Sequence, residues 1–252
     1  SLYASDCVFR LNTCVNDGGA MYVYRVNTTI EDSSFLFNED TSSAGGTDGG
    51  AIAYVGYNID PAQFTLTLTR CVFDGNISAE GAGAVMTNYA AFVIEDTTFN
   101  GNRARGGSGG AISLSNGQMT MRRTTLSNNQ AFDGTSTYYI GGAINTGTGG
   151  NMNIYNSTFT GNLANFETIR STATTNIYNC TIAYNTAASS TSGAGLRVQS
   201  GTTTVYSTIF SDNRANGGAQ INDVSGTLTA NHCIFESEPT LAGGSSNNIV
   251  NQ

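Results

Sequence analysis

The chain has 252 residues, a formal net charge of −8, and 39% hydrophobic and 11% charged residues. This composition is typical of an ordered chain, and no apolar run reaches the roughly 18 residues that a transmembrane helix needs. Ten arginines supply all of the positive charge, and lysine is absent. Because nucleic acids are bound through basic patches that neutralise phosphates, this acidic chain is not expected to bind nucleic acid. Direct membrane insertion is not expected either.

Two short boxes recur along the whole sequence. The first is a bulky apolar residue followed three positions later by Asn, and its copies are Phe9/Asn12, Phe35/Asn38, Phe73/Asn76, Phe99/Asn102, Leu126/Asn129, Phe159/Asn162, Ile182/Asn185 and Phe210/Asn213. The second is a Gly-Gly-Ala-Ile box, with variants at 18–21, 49–52, 82–85, 109–112, 141–144, 193–196 and 217–219. The mean spacing is about 28 residues, which is typical of a solenoid.

The residues between the boxes alternate with period two, as in a β-strand. Phe92 and Ile94 are predicted to point inward, Asp96 to form a corner, and Phe99 to point inward again. One unit therefore predicts strand, corner, strand, corner, strand. We predict an all-β, right-handed parallel β-helix (solenoid) of about nine rungs that forms a single domain over residues 1–252. The box asparagines are expected to stack from rung to rung and satisfy one another's amides.

The cysteines also follow the repeat. Cys7, Cys71, Cys180 and Cys233 each lie two residues before a bulky apolar residue, so they share one inward column. The nearest pair is two rungs apart, about 9.6 Å, which exceeds the roughly 7 Å Cα separation that a disulfide bridges. Cys14 is also predicted to point inward. We therefore predict free, buried thiols, with a Cys7–Cys14 bridge as the main exception.

Both ends of the sequence fall inside the repeat pattern, without an initiator Met or a signal peptide. We expect a mature fragment or part of a longer chain. An uncapped solenoid leaves unpaired strand edges, so we expect that either the chain continues or copies of it stack end to end into a filament. In the second case, 233–252 would be the docking surface.

The paired boxes at 99–102 and 109–112 resemble the repeats of the polymorphic outer-membrane protein family of chlamydiae and of related β-helix surface proteins. The resemblance covers essentially all 252 residues. It implies an extracellular or cell-surface location and a role in adhesion. It carries more information on fold and location than on activity.

Parallel β-helices also include polysaccharide lyases and hydrolases, whose sites need clustered carboxylates. In this chain the corner residues Asp32, Arg70, Asp96 and Arg123 alternate in charge, which predicts a structural ladder of ion pairs. We predict a non-catalytic structural or adhesive module without a cofactor. The alternative is a carbohydrate-binding or polysaccharide-degrading β-helix protein.

Two other acidic residues and the single histidine are of types that bind metal ions. Asp17 and Asp48 precede the glycine box on adjacent rungs and form either a weak Ca²⁺ pair or two solvated loop acids. His232 lies at an outer corner while Cys233 points inward, so the two are not expected to share a zinc ion. No metal site is predicted.

Two groups of tyrosines are candidate binding residues. Tyr155, Tyr178 and Tyr206 fall in one outward column on consecutive rungs, where they either form a platform for sugar rings or stack on one another and stiffen the solenoid. Four more lie in or beside insertions and are expected to lie near one another: Tyr54, Tyr57, Tyr138 and Tyr139. The expected partners are copies of the chain, a longer chain, or surface glycans.

Four Asn-x-Ser/Thr sequons occur, at Asn27, Asn76, Asn156 and Asn179. Asn76 is a box asparagine and is predicted to point inward, so it is not a candidate for modification. Asn27, Asn156 and Asn179 are the glycosylation candidates, and the last two share an exposed corner on neighbouring rungs.

Overall fold

The computed structural model describes residues 1–41, 48–58, 60, 62–132, 139–188, 193–215, 221–223, 226–236, 239 and 245–250. The chain is an all-β parallel solenoid of about eight complete turns, close to the nine that the repeats predict. The described residues of the ninth coil form two strands, Thr227–Asn231 and Ile234–Phe235. Within these ranges, no helical segment has the length and apolarity that crossing a membrane requires.

Each complete coil contributes one strand to each of four parallel sheets, here named faces 1 to 4. Face 1 contains Leu2–Ser5, Thr28–Glu31, Thr65–Thr69, Ala91–Glu95, Gln118–Arg122, Asn151–Tyr155, Thr175–Tyr178, Thr202–Tyr206 and Thr227–Asn231. Face 2 contains Val8–Arg10, Ser34–Leu36, Val72–Asp74, Thr98–Asn100, Thr125–Ser127, Thr158–Thr160, Thr181–Ala183, Ile209–Ser211, Ile234–Phe235 and Ile249–Val250.

The other two faces are built from shorter strands. Face 3 contains Thr13–Cys14, Glu39–Asp40, Ile77–Ser78, Arg103–Ala104, Gln130–Ala131, Leu163–Ala164, Thr186–Ala187 and Arg214–Ala215. Face 4 contains Met21–Tyr24, Ile52–Val55, Val85–Asn88, Ile112–Ser115, Ile144–Thr146, Ile169–Ser171, Leu196–Val198 and Ile221–Asp223. The prediction of three strands per coil was one too few. The two-residue strands of face 3, which follow each box asparagine, are too short to show a periodicity.

The predicted asparagine ladder is confirmed and lies in the core. The Nδ2 of Asn102 donates to Oδ1 of Asn129 at 2.9 Å and to the carbonyl of Phe73 at 3.0 Å. Its Oδ1 accepts from the backbone N–H and the Nδ2 of Asn76 at 3.0 and 2.9 Å. The same bonds link the box asparagines from Asn12 to Asn213. Because the amides satisfy one another and the strand carbonyls, this buried polar column needs no water.

The apolar residues of the first box form a second internal column. The rings of Phe9, Phe35, Phe73 and Phe99 stack with centroid separations of 4.6, 4.7 and 4.7 Å. These values match the spacing of neighbouring strands in a sheet. This part of the core therefore consists of phenylalanine rings repeated at the strand spacing.

The backbone conformation at the corner between faces 1 and 2 explains why the residues there are polar. Every corner residue has a positive φ, between 47° and 56°: Asp6, Asp32, Arg70, Asp96, Arg123, Asn156, Asn179, Ser207 and His232. Asp and Asn are enriched in this left-handed conformation. The glycine box is required for a different reason. A Cβ at Gly50 or Gly83 would overlap the carbonyl oxygen of the equivalent glycine on the next coil.

All five cysteines are free, as predicted, and Cys71, Cys180 and Cys233 are buried. Cys7 and Cys14, both on the first coil, are only partly buried, so the prediction of burial is wrong for these two. Cys71 forms no disulfide, and it occupies the position that a serine or threonine occupies on several other coils. Its Sγ lies 3.4 Å from the carbonyl of Thr69, as the hydroxyl of Thr97 lies 2.8 Å from that of Glu95. Burial raises the pKa of the Cys180 thiol to about 11, so this group is inert as a nucleophile.

Candidate functional site

An exposed aromatic column runs along face 1 and contains the first predicted group of tyrosines. The rings of Tyr155 and Tyr178 are stacked at 5.4 Å with an angle of 8° between their planes. Tyr206 follows at 6.3 Å, tilted by 45°, and His232 lies 5.0 Å beyond it. At the other end, the guanidinium carbon of Arg122 lies 4.5 Å from the Tyr155 centroid. We call these five residues the aromatic column.

The geometry of the aromatic column bears on what it can bind. The two faces of the Tyr155 ring are occupied by Arg122 and Tyr178, and Tyr206 has neighbours on both sides. A sugar ring stacks on a free aromatic face, so these contacts leave mainly ring edges and hydroxyl groups for a ligand. This arrangement favours the stiffening role over a sugar platform, and ligand binding by the column stays a prediction.

The second group of tyrosines does not form one surface. Tyr54 is fully buried in face 4, and its hydroxyl donates to the carbonyl of Val26 at 2.8 Å, so it cannot contact a ligand as predicted. Burial raises its pKa to about 12. Tyr57 is half-buried beside the Arg25 guanidinium, 4.5 Å from its ring centroid. Tyr139, three coils further on, is only 8% exposed and packs in a small cluster of alanines. Tyr138 lies outside the described residues.

The sequon residues lie where the register places them. Asn76 is fully buried in the asparagine ladder, as predicted. Asn27, Asn156 and Asn179 are exposed. The last two occupy adjacent corners of faces 1 and 2, with φ values of 50° and 54°. Glycosylation at these three positions stays a prediction.

The alternating corner charges pair as predicted. Arg70 forms two hydrogen bonds of 2.7 Å to the carboxylate of Asp32, and Arg123 bonds Asp96 at 2.7 and 3.0 Å and also contacts Glu95. The bonds to arginine lower the pKa of Asp32 and of Asp96. These ion pairs are exposed, so each contributes little to stability.

The two candidate calcium ligands lie close together but form only a pair. Asp17 donates its backbone N–H to the Asp48 carboxylate at 3.3 Å. Burial, and then the charge of Asp48, raises the pKa of Asp17. Within the described part of the chain, no group of three or more metal-binding side chains occurs.

A polar groove that the sequence does not predict lies at the corner between faces 4 and 1. It has a volume of about 270 Å³ and spans three successive coils, lined by Tyr89, Asn116, Gly117, Gln118, Gly149 and Asn151. An aromatic ring beside uncharged amides is suited to a ligand with both apolar and hydroxyl-bearing surfaces. The glycines at the corners, which open this space, were the only signal in the sequence.

A second unpredicted feature lies on the sixth coil, where the glycine box is replaced by 165–169. Glu167 is fully buried, with Oε1 3.5 Å from Nη1 of Arg170 and Oε2 3.6 Å from Nη1 of Arg197. Burial raises the pKa of the Glu167 carboxyl to about 7, although both arginines oppose the shift. The sequence shows that this coil departs from the repeat. It does not predict that Arg170 and Arg197 both contact Glu167.

Fold and repeats together define a parallel β-solenoid built from coils with paired asparagine and glycine boxes. The family model of the Chlamydia polymorphic membrane protein repeat matches residues 96–115. These residues form one corner and one strand each of faces 2, 3 and 4. The expected resemblance is thus confirmed at this repeat, and both repeat and fold fit a β-helix surface protein of that type. Searches of curated proteins and of solved structures found no match.

Proposed function

We propose that the chain is a non-catalytic structural and adhesive module displayed at the cell surface. The observation that carries this proposal is the continuous internal ladder, in which the box asparagines from Asn12 to Asn213 link eight coils into one rigid rod. The repeat matched at 96–115 supports a surface location. Four acidic residues at or beside the corners form ion pairs with Arg70 or Arg123: Glu31, Asp32, Glu95 and Asp96. Their role in these pairs is structural, which supports a non-catalytic module.

The polar groove at Tyr89 is the surface best suited to adhesion. Its ring and its amide side chains are uncharged, so we assign it to a neutral glycan, whose hydroxyl groups accept and donate hydrogen bonds. A volume of about 270 Å³ accommodates one sugar unit. Because the groove is open along the coils, a chain of sugars can continue beyond it.

Binding of the purified chain to an array of neutral oligosaccharides tests this proposal. Gln118→Ala removes an exposed amide from the groove, and Tyr89→Asn removes the ring while keeping a residue that tolerates the φ of 53° at this corner. Each change should weaken binding about tenfold. Tyr184→Asn, at an exposed tyrosine with a φ of 58° that lies outside the groove, is the matched control and should leave binding unchanged.

The same experiment separates adhesion from the enzymatic alternative. Release of new reducing ends from a bound glycan would contradict a non-catalytic role and favour a polysaccharide-degrading protein. Binding that is unaffected by Gln118→Ala and Tyr89→Asn would refute the assignment of the groove.

End-to-end association of copies is a second proposal, and the first coil favours it. Half of the exposed large apolar side chains in the described residues belong to this coil: Leu2, Tyr3, Val8, Leu11, Val15, Tyr22 and Tyr24. At the other end, Val250 pairs with Phe235, in the column that Phe9 begins. A second copy docked there would continue face 2 and cover apolar surface.

Sizing chromatography with negative-stain microscopy tests the association. The double change Val8→Lys and Val15→Lys should disperse fibres into single rods, because it places charge on the exposed apolar rim. Val72→Lys, at the same outward column in mid-solenoid, should leave them intact. Single rods of the unaltered chain at every concentration would refute the proposal.

A further inference from the structure

The cluster around Glu167 borders an open cleft whose walls combine charge with apolar surface. The cleft has a volume of about 290 Å³ and is lined by Ile140, Phe166, Arg170, Arg197 and Gln199. The Arg197 guanidinium carbon lies 5.5 Å from the Phe166 ring centroid. The arginine side chains are 19% and 17% exposed, so both reach the cleft from a largely buried position.

The two arginines are held side by side by the fold. Arg170 and Arg197 are direct partners on adjacent parallel strands of face 4. Like charges opposite each other on neighbouring strands are destabilising unless an anion lies between them. Glu167 supplies one negative charge to two positive ones, which leaves an excess of one positive charge at the cleft.

The contacts of Glu167 do not saturate the guanidinium groups. Both N–O distances, 3.5 and 3.6 Å, are long for charge-assisted hydrogen bonds, which are typically about 2.7–2.9 Å. The buried Nε of Arg197 has no hydrogen-bond partner among the described residues. Because each guanidinium has five N–H donors in a fork that fits a carboxylate, donors remain for a second carboxylate at this site.

We propose that this cleft binds the carboxylate of an acidic sugar, such as a hexuronate unit of an acidic polysaccharide. Arg170 and Arg197 bind the carboxylate, as they bind that of Glu167. Phe166 and Ile140 contact the apolar side of the ring, and the Gln199 amide bonds a hydroxyl group. The site is separate from the polar groove, so it stands even where the groove binds no neutral glycan.

Binding at the cleft should depend on pH through Glu167. The charged groups that face it are Arg170, three residues later in the same coil, and Arg197 from the next coil. The preceding coil contributes the backbone N–H of Gly142, which donates to the Glu167 carbonyl. With its pKa raised to about 7, the carboxyl is mostly protonated at pH 6 and mostly ionised at pH 8. Protonation removes the competing carboxylate, whereas a uronate stays ionised at both values. Binding should therefore be about tenfold tighter at pH 6.

Titration with methyl β-D-glucuronoside, followed by calorimetry and by the NMR signals of the arginine Nε–H groups, tests the proposal on the unaltered chain. The Arg197 signal should shift on binding, and methyl β-D-glucoside, the neutral counterpart, should produce no shift. Glu167→Gln should bind equally at pH 6 and pH 8, with the affinity that the unaltered chain has at pH 6. Arg197→Gln should abolish binding, and Arg170→Lys should weaken it.

Arg123→Gln is the matched control, because this arginine lies in the exposed corner ladder, and it should bind as the unaltered chain does. Circular dichroism establishes that each variant is folded. Absence of glucuronoside binding at both pH values, equal binding of the neutral glucoside, or undiminished binding by a folded Arg197→Gln would each overturn the proposal. Gln118→Ala in the polar groove should not change glucuronoside affinity, which separates this test from that of the adhesive function.

Discussion

At the scale of single residues, each position of a coil is constrained mainly by the same position one coil away. The left-handed corners illustrate this constraint, since Asp96 and Asn156 suit a φ of 50° while Arg70 and Arg123 do so less well. Such a conformation costs a larger side chain roughly 1 kcal/mol. Both arginines form two hydrogen bonds to an aspartate on the preceding coil, which offset part of that cost.

Removing one amide from the asparagine ladder should be strongly destabilising. In Asn102→Ala the buried amide of Asn76, the carbonyl of Phe73 and the side chain of Asn129 each lose a partner. Unsatisfied buried groups cost about 1–3 kcal/mol each, so we expect a loss of about 3 kcal/mol or more in the free energy of unfolding, measured by urea denaturation. Asn100→Ala, at an outward position two residues earlier, is the control and should cost less than about 1 kcal/mol. Equal losses in the two variants would contradict the role of the ladder.

Replacing the buried acid should change how stability depends on pH. Burial raises the pKa of Glu167 from 4.5 to about 7. The folded state therefore binds this proton more tightly than the unfolded state does, and the resulting contribution to stability is complete below pH 4.5. That contribution is lost as the pH rises through 7. Glu167→Gln cannot titrate, so its stability relative to the unaltered chain should rise by up to about 3 kcal/mol between pH 4 and pH 8.

Urea denaturation at several pH values measures this difference. Gln118→Ala, which removes no titratable group, is the control and should show a nearly constant difference over the same range. A constant difference for Glu167→Gln as well would mean that folding leaves the pKa of the carboxyl unshifted, because its two arginines cancel the effect of its burial.

At the scale of the elements, the four faces divide the tasks of the solenoid. Face 2 holds the phenylalanine column, and the asparagine column lies at the turn between faces 2 and 3. Face 1 displays the aromatic column. Face 4 presents the arginine pair towards its cleft. The corner between faces 4 and 1 contains the polar groove. A feature that spans several coils of one face is therefore built from residues at equivalent positions of successive coils.

Truncating the central tyrosine tests whether the aromatic column is structural. Tyr178→Ala removes two ring contacts, with Tyr155 and Tyr206, each worth about 0.5–1.5 kcal/mol. We expect a loss of about 2 kcal/mol in the free energy of unfolding without a change in glycan binding. Tyr22→Ala, at an exposed tyrosine of face 4, should cost less than half as much. Lost glycan binding together with unchanged stability would instead identify the column as the adhesive surface.

The repeat made the columns predictable, because residues one period apart in sequence are neighbours on adjacent coils. The asparagine ladder, the paired corner charges and the free cysteines all followed from that relation. The prediction for Tyr54 is wrong because it places this residue in or beside an insertion, whereas Tyr54 lies in strand Ile52–Val55 and points inward as Ile52 does. Arg170 and Arg197 lie 27 residues apart and share a register position, but the altered glycine box of the sixth coil hid their equivalence.

At the scale of the whole molecule, a solenoid gains stability from contacts between neighbouring coils, and each coil is nearly interchangeable with the next. Asp96 and Arg123 occupy equivalent corners, and Thr97 and Thr124 equivalent inward positions. Deleting 97–123 joins Asp96 to Thr124 and removes one complete coil while all other residues keep their register. At present, strand Gln118–Arg122 lies between Ala91–Glu95 and Asn151–Tyr155 and pairs with both. In the shortened chain, Ala91–Glu95 would pair with Asn151–Tyr155 directly.

The shortened chain should fold. Its rod should be about 4.8 Å shorter by small-angle scattering, since that is the spacing of parallel strands. The denaturant dependence of its unfolding should fall by about a tenth, in proportion to the surface removed. A deletion of 98–123 differs by one residue, yet it turns Leu126 outward and takes Asn129 out of the ladder. Since a slip of one residue reverses every side chain that follows, this second chain should aggregate or lose cooperative unfolding. Equal behaviour of the two deletions would show that the register is not what specifies the fold.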